Sequence, residues 1–189
     1  MIRREIREKA FMFLFQLEFL KSDGTEQLAG FIEEYEIDQV SSEYFNTLVE
    51  GVTSHLSELD DSFIPFLKGW TKERLPRVDL TIIRLAAFEM LHVEDVPDNV
   101  AISEAVLLAK RFSTEESRSY INAVLGRLSR EKDQVLQKIK EAKELKEKEQ
   151  NELDQADQAD QVEIEQIEKI ETSKPDLEVQ EEVQEETQK

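Results

Sequence analysis

The segment from Val78 to Leu91 constrains the fold of this chain most, because its apolar residues fall on nearly every side of a helix. Surface helices of globular proteins carry one apolar stripe and a polar face, whereas a helix that is apolar all round is buried on all sides. The segment is therefore predicted to form a helix in the middle of a domain, with other helices packed around it.

The segments on either side supply the apolar stripes that such a central helix needs. Residues 2–20, 26–36 and 41–56 carry apolar residues at helical spacing, and so do residues 100–112 and 113–128. No segment shows the alternating pattern of a half-buried strand. The sequence therefore predicts an all-α domain of about six or seven helices.

Charge divides the chain into a folded part and a tail. The net charge is −19, and residues 131–189 contribute most of the excess, with 20 acidic against 9 basic residues. We predict a helical domain over residues 1–130, a charged extension of the last helix over residues 131–150, and a disordered acidic tail over residues 151–189. The tail has low-complexity sequence with too little apolar surface to offset the entropy of ordering.

The sequence contains no pattern typical of catalysis. It has no Cys, no phosphate-binding glycine loop, no nucleophile elbow and no paired-histidine zinc motif. We therefore expect no enzyme activity, no metal site and no cofactor. No apolar run approaches the ~18 residues of a membrane-spanning helix, and no signal peptide is recognisable, so we expect a soluble cytoplasmic protein.

Basic residues are concentrated at the start of the chain, where Arg3, Arg4, Arg7 and Lys9 lie in one predicted helix. Lysine and arginine bind phosphate oxygens strongly and displace counterions from nucleic acid, so the cluster could be a phosphate-binding patch. The alternative is a solvated helix face on which neighbouring glutamates cancel part of the charge. The residues alone leave both interpretations open.

Two aromatic residues, Phe11 and Phe15, share one arc of this helix with Arg4, away from its apolar stripe. Rings beside guanidinium groups suit single-stranded nucleic acid, because unstacked bases lie on the rings while arginines contact the backbone. The alternative is that both rings pack against a neighbouring helix. The sequence favours neither interpretation.

The start of the last helix, from Ser113 onward, is a second candidate site. The N–H groups of a first turn and the positive end of the helix dipole favour phosphate. Ser113 and Glu116, however, form the pattern of a capping box, which explains both residues without a ligand. The residues of this segment that could donate hydrogen bonds or stack are Arg118, Ser119, Tyr120 and Asn122.

Three segments, from Leu75 to Leu91, from Val96 to Val106 and from Phe112 to Leu125, resemble the successive signatures of the NusB family of bacterial transcription antitermination factors. With the arginine-rich start, the resemblance covers residues 1–130. It implies an all-helical protein that binds the boxA segment of nascent ribosomal RNA together with NusE, a ribosomal small-subunit protein. It also implies a place in the RNA polymerase antitermination complex.

The resemblance also implies which residues bind the partners. In the family the arginine-rich first helix and the start of the last helix form the RNA surface. The helix at Asp79 is implied as the contact for the protein partner. Phe15 stands where the first helix often carries Tyr, so stacking is retained without the hydroxyl. The implied RNA-binding residues are Arg3, Arg4, Arg7, Phe15, Glu116, Arg118, Ser119, Tyr120 and Asn122.

Two other functions and the role of the tail remain open. The fold also occurs as the RNA-recognition domain of ribosomal RNA cytosine methyltransferases, but the residues after 130 could not form a catalytic domain, so the chain could only be a fragment of such an enzyme. It could also be a helical protein-interaction module without RNA affinity, in which Arg3, Arg4 and Arg7 are replaceable. The acidic tail could compete with RNA for these arginines or could serve solubility alone.

Overall fold

The computed structural model describes residues 1–20 and 24–151, and within these ranges all regular structure is helical. This confirms the predicted all-α fold. Two 3₁₀ turns, Ile64–Phe66 and Lys72–Arg74, separate the fourth helix from the fifth. The α-helices are α1 (Arg3–Leu17), α2 (Thr25–Glu34), α3 (Gln39–Ser54), α4 (Leu56–Phe63), α5 (Arg77–His92), α6 (Asp98–Phe112), α7 (Glu115–Arg130) and α8 (132–151).

Helix α5 lies in the middle of the domain, as its apolar sequence predicts. Its residues from Asp79 to Met90 are buried apart from Arg84, which is partly exposed, and it contacts α1, α3, α4, α6 and α7. The contact with α3 requires a glycine, because a Cβ atom at Gly51 would lie only 1.9 Å from the ring of Phe88. Gly51 therefore allows the close approach of the two helices.

Helices α1, α6 and α7 pack around α5 through the apolar stripes that the sequence indicates. Helix α1 contacts α3 and α5, while α6 contacts both α5 and α7. This arrangement brings the first turns of α1 against α5 and α6. The buried apolar residues are Ile6, Ala10, Phe11, Phe13 and Leu14 of α1, Ala101, Ala105, Leu108 and Ala109 of α6, and Ile121, Val124, Leu125 and Leu128 of α7.

The predicted charged extension is helical, but a turn at Glu131 separates it from α7 as a helix of its own. Val135 is buried and Ile139 packs against the core, and the domain extends to Glu141. Residues 142–151 belong to a second unit and are helical and exposed. The tail predicted to be disordered lies outside the described residues from position 152 onward.

Within residues 1–20 and 24–151, no helix combines the length and the apolar character that crossing a bilayer requires.

Candidate nucleic-acid interface

Arg7, for which the resemblance implies RNA contact, lies inside the domain. Its Nε donates to both carboxylate oxygens of Glu89, at 2.8 and 3.0 Å, and 5% of its side chain is exposed. Tyr44 donates to the same carboxylate, and burial raises the pKa of Glu89 above its ordinary value. This corrects the expected role of Arg7, because its guanidinium faces a carboxylate buried on α5 and not the solvent.

Arg3 and Arg4 lie at the surface. Arg4 is 61% exposed, although its Nε and Nη2 donate to the Glu104 carboxylate of α6 at 2.8 to 3.1 Å. Arg3 lies over the ring of Tyr44, with its guanidinium carbon 4.9 Å from the ring centroid. Both guanidinium groups are therefore positioned by neighbouring side chains while part of each remains accessible to phosphate.

A third exposed arginine adjoins this pair. Arg111, near the end of α6, lines a surface cavity of about 170 Å³ together with Arg4. It pairs with Glu8 of α1 and lies over the ring of Phe112. Arg111 was not identified from the sequence, although two adjacent basic residues before the aromatic Phe112 are a pattern that indicates nucleic-acid binding. Arg3, Arg4 and Arg111 are called the arginine face below.

Phe11 and Phe15 differ in accessibility. Phe11 is 2% exposed, and its ring centroid lies 4.9 Å from that of Phe112. Phe15 is half-buried, and its ring lies 6.0 Å from Phe11 and 5.2 Å from the exposed ring of Phe19. Packing against a neighbouring helix is thus the correct interpretation for Phe11, whereas Phe15 and Phe19 keep ring surface at the exterior.

Thr114, not Ser113, caps α7. The Thr114 hydroxyl accepts a hydrogen bond from the backbone N–H of Ser117 at 3.1 Å. The predicted capping box is wrong, because the Ser113 hydroxyl donates to the carboxylate of Asp79 instead. Glu116 is exposed and therefore belongs to the surface.

Polar side chains lie at the surface along the first turns of α7. Ser119 and Asn122 are exposed, and Arg118 is partly exposed and pairs with Glu115. Burial raises the pKa of the Tyr120 phenol, which is partly enclosed. This part of the helix presents a mixed polar and aromatic surface, called the α7 edge below and consisting of Glu116, Arg118, Ser119, Tyr120 and Asn122.

Asp79, for which the resemblance implies a contact with the protein partner, is buried in the domain. It is 2% exposed, and its two carboxylate oxygens accept hydrogen bonds from the hydroxyls of Ser113 and Ser117, each at 2.5 Å. Neither a partner contact nor a solvent-facing position fits this geometry. Asp79 instead ties α5 to the start of α7, because both of its oxygens are engaged there.

A larger cavity opens beside the α7 edge. Its volume is about 330 Å³, and Trp70, Leu75 and Pro76 line it together with Tyr120. Sequence reasoning missed Trp70, which is the chain's only tryptophan and is 52% exposed. The available signal was a tryptophan within a short segment that contains several basic residues.

Apart from Arg3, the residues of the arginine face and of the α7 edge fall within a part of the chain that matches a known protein family. The model of the NusB family matches residues 4–130, which make up most of the helical domain. The chain belongs to the NusB family. The match confirms the resemblance that the three sequence segments indicate.

Members of the NusB family match this chain over most of their own length. The transcription antitermination protein NusB of Acetivibrio thermocellus is 43% identical over 130 residues, which cover 69% of this chain and 90% of that protein. NusB of T. maritima is 35% identical with a TM-score of 0.63, over 69% of this chain and 92% of that one. In a crystal structure of antitermination factors NusB and NusE with dsRNA, the matching chain is 23% identical. Its TM-score of 0.62 over 68% of this chain and 96% of that one shows a shared fold.

The NusB relatives are named for transcription antitermination and not for a reaction. This agrees with the sequence-based expectation that the chain is not an enzyme. Because the match covers 90% of the relative from Acetivibrio thermocellus, it is a match to nearly the whole of an antitermination protein. The comparison therefore favours an antitermination factor over a fragment of a methyltransferase.

Proposed function

We propose that this protein is a transcription antitermination factor that binds boxA-type single-stranded RNA of nascent ribosomal RNA transcripts together with the ribosomal protein NusE. It acts within the RNA polymerase antitermination complex, in the cytoplasm. Its mechanism is assembly without chemistry, because binding the RNA and the protein partner on one scaffold raises the effective concentration of each for the other.

The contact between Phe112 and Phe11 is the main structural support for the proposed RNA binding. Phe112 ends α6 just before the α7 edge, and its ring lies 4.9 Å from that of Phe11 on α1. Arg111 precedes Phe112 and belongs to the arginine face. The contact places the end of α6 against α1, and we propose that a single strand of RNA passes over this end between the arginine face and the α7 edge.

The two surfaces contribute different interactions to RNA binding. The exposed guanidinium groups of Arg3 and Arg4 bind phosphate oxygens and displace counterions, which makes binding weaken as salt rises. The accessible ring of Phe15 offers a stacking surface to an unpaired base. Ser119 and Asn122 carry exposed groups that donate and accept hydrogen bonds at base edges or phosphates.

The proteins that this chain resembles support both proposed partners, RNA and NusE. The matched proteins are named as transcription antitermination proteins, and a protein of the same fold forms a complex with NusE and RNA. Residues 1–130 are the part of the chain that carries this fold, so we assign partner binding to the helical domain and not to the acidic tail.

The proposal is tested by measuring binding of the full chain to a boxA-type RNA and to a scrambled RNA of equal length across a salt series. Each titration is repeated with NusE present. We expect tighter binding to the boxA-type RNA, an affinity that falls with salt, and a gain when NusE is added. A variant with both Arg3→Ala and Arg4→Ala should bind RNA more weakly and with a shallower dependence on salt.

Two results would contradict the proposal. Equal affinity for the two RNA sequences, with NusE present, would exclude a boxA-specific role. Binding of NusE that neither salt nor RNA changes, with no RNA binding at all, would establish the alternative of a protein-interaction module.

A further inference from the structure

The cavity beside the α7 edge is lined largely by aromatic and apolar side chains, although it lies at the surface. Trp70 and Tyr120 supply aromatic rings, while Leu75 and Pro76 supply apolar surface. At about 330 Å³, the cavity is within the range of volumes found for small-molecule sites in proteins. The remaining lining residues are polar and belong to α5 and to the start of α7: Asp79, Thr114, Glu116 and Ser117.

The segment that carries Trp70 turns just before the tryptophan and is held by ion pairs after it, although Trp70 itself is exposed. Gly69 adopts a left-handed conformation with φ +75°, which turns the chain just before the tryptophan. After it, Lys72 pairs with Asp60 at 3.0 Å, and Arg84 of α5 binds both oxygens of the same carboxylate at 2.8 and 2.9 Å. The indole is thus presented to solvent by an anchored segment.

The polar groups of the lining are of two kinds. The carboxylate of Asp79 is occupied, because the hydroxyls of Ser113 and Ser117 donate to it. Glu116 is exposed on the first turn of α7 and offers a carboxylate at the rim of the cavity. An exposed carboxylate accepts hydrogen bonds from amino groups, such as the exocyclic amine of cytosine.

The surroundings favour a ligand attached to phosphate. Lys68 and Arg74 do not line the cavity, but both are exposed within four residues of Trp70 in the sequence, and we expect them to attract the phosphate backbone of a strand whose base enters the cavity. Flat aromatic walls, an apolar base and a rim acceptor match a nucleobase, which stacks through its faces and forms hydrogen bonds through its edge. A protein side chain lacks this combination of a flat face, a donor edge and a neighbouring phosphate.

We propose that this cavity is a nucleobase slot that extends the RNA interface beyond the arginine face and the α7 edge. Trp70 and Tyr120 provide the stacking surfaces, and Glu116 accepts a hydrogen bond from the exocyclic amine of the bound base. The slot therefore prefers cytosine, adenine or guanine to uracil at one position of the RNA. The inference rests on the proposed RNA-binding function and assigns Trp70 a part in it.

Because Trp70 is the only tryptophan, its fluorescence reports on the slot in the unmodified protein. A 5′-labelled boxA-type RNA is titrated while its anisotropy reports binding and the tryptophan emission reports stacking. We expect quenching of the emission with the same midpoint as the anisotropy change. Trp70→Ala should weaken RNA binding about tenfold, since stacking on one base contributes ~1–3 kcal/mol and 1.4 kcal/mol is a factor of ten.

Trp70→Phe is the matched control, because it keeps a ring on the same anchored segment and should retain most of the affinity. A series of RNAs with one abasic position each then locates the bound base. At that position alone, removal of the base should weaken binding to the unmodified protein clearly more than binding to the Trp70→Ala variant, in which only Tyr120 and Glu116 still contact the base. At the same position, uracil should bind more weakly than cytosine, and Glu116→Gln should reduce that difference.

The outcomes separate this inference from the proposed function. RNA that raises the anisotropy without changing the emission, with equal affinity for the Trp70→Ala variant, would overturn the slot and leave the RNA-binding function intact. No anisotropy change at all, even with NusE present, would overturn both. If Trp70→Ala weakens binding of NusE but not of RNA alone, the cavity is a protein site and the slot is refuted.

Discussion

The first turns of α1 and the first turns of α7 are both rich in polar side chains, and the domain uses the two sets in different ways. On α1, Arg7 is buried against Glu89, and Arg4 is bound to Glu104 while still exposed. On α7, Ser119 and Asn122 are exposed. The comparison shows that local charge density in a sequence does not measure the charge that a partner can reach.

The difference arises from what each helix packs against. Helix α1 lies on α5 and α6, which carry buried carboxylates at Glu89 and Glu104. A carboxylate without a partner is costly inside a protein, so Arg7 and Arg4 of α1 form ion pairs with these two carboxylates. The start of α7 instead packs through Ser117, whose hydroxyl binds Asp79, and its other polar residues are left outside.

Replacing Arg7 should produce the largest effect and should be an effect on folding. Arg7→Met leaves Glu89 buried without its cation, and breaking a buried pair in this way costs about 3–5 kcal/mol of unfolding free energy. Urea denaturation of the variant measures this loss. RNA affinity under conditions where the variant is folded should stay close to that of the unmodified protein.

The double variant with Arg7→Met and Glu89→Met is the control for Arg7. Replacing both partners of a buried pair by apolar residues is often close to neutral, so it should recover much of the lost stability. The contrast between the two helices breaks down if Arg7→Met keeps its stability and loses RNA affinity, because Arg7 would then be a contact residue.

Replacing Asp79 tests the same idea on the side of α7. Asp79→Ala leaves the half-buried hydroxyls of Ser113 and Ser117 without this acceptor, and each hydrogen bond lost in this way costs about 0.5–1.5 kcal/mol. Urea denaturation should show this loss, and RNA affinity should fall with it because the start of α7 is no longer held. Ser119→Ala, on the exposed side of the same helix, should leave stability unchanged. Loss of NusE binding without loss of stability would instead restore the partner role.

Replacing the outer arginines should lower RNA affinity. Arg4→Ala should also cost some stability, because it leaves the buried Glu104 carboxylate with Arg7 Nη1 at 3.9 Å, so RNA affinity is measured under conditions where the variant is folded. With Arg3→Ala and Arg4→Ala combined, we expect RNA affinity to fall about tenfold. The slope of log affinity against log salt should become shallower by about two, one for each phosphate contact removed. Anisotropy titrations at several salt concentrations measure both quantities. Arg130→Ala removes an exposed arginine at the other end of α7 and should change neither, so an equal effect there would indicate non-specific attraction.

The smallest effect should come from Asp38, whose carboxylate accepts a hydrogen bond from the ammonium group of Met1 beside the start of α1. Hydrogen bonds from the Ser41 hydroxyl and amide, and from the ammonium group of Met1, hold the pKa of Asp38 well below its ordinary value of 3.8. The stabilisation is therefore present above that value and is lost as pH falls through the lower pKa of the folded state. Unfolding free energies measured between about pH 5 and pH 2.5 should decline more steeply for the unmodified protein than for Asp38→Asn. Equal slopes would show that Asp38 contributes nothing to the pH dependence.

The sequence predicts the fold well and the site in part, for physical reasons that particular residues illustrate. Helical periodicity and the all-round apolar character of α5 are local properties, so fold class and the central helix could be predicted. Exposure of Ser119 and Asn122 follows from the same periodicity. The roles of Arg7 and Asp79 could not be predicted, because each depends on a residue that is distant in the sequence. Arg7 pairs with Glu89 at a separation of 82 positions, and Asp79 binds Ser113 at a separation of 34 positions.

One sequence signal for the buried pair was nevertheless available. Glu89 lies on a helix that is apolar nearly all round, and glutamate is almost never fully buried unless it is paired. Glu89 therefore required a cation from another helix, and the start of α1 is the segment in which arginines are most concentrated. For Trp70 the signal in the sequence was its place between Lys68 and Lys72, because aromatic residues beside cations are a feature of nucleic-acid surfaces.

If RNA contacts the outer arginines and the α7 edge, Arg7 should stay inside the domain when RNA binds. Amide and arginine side-chain NMR spectra recorded during titration with boxA-type RNA measure both properties in one experiment. We expect shifts at Arg3, Arg4, Ser119 and Asn122, with the Arg7 side chain still paired to Glu89 at saturation. Release of the Arg7 guanidinium from Glu89 on RNA binding, or shifts confined to other surfaces of the domain, would exclude this arrangement.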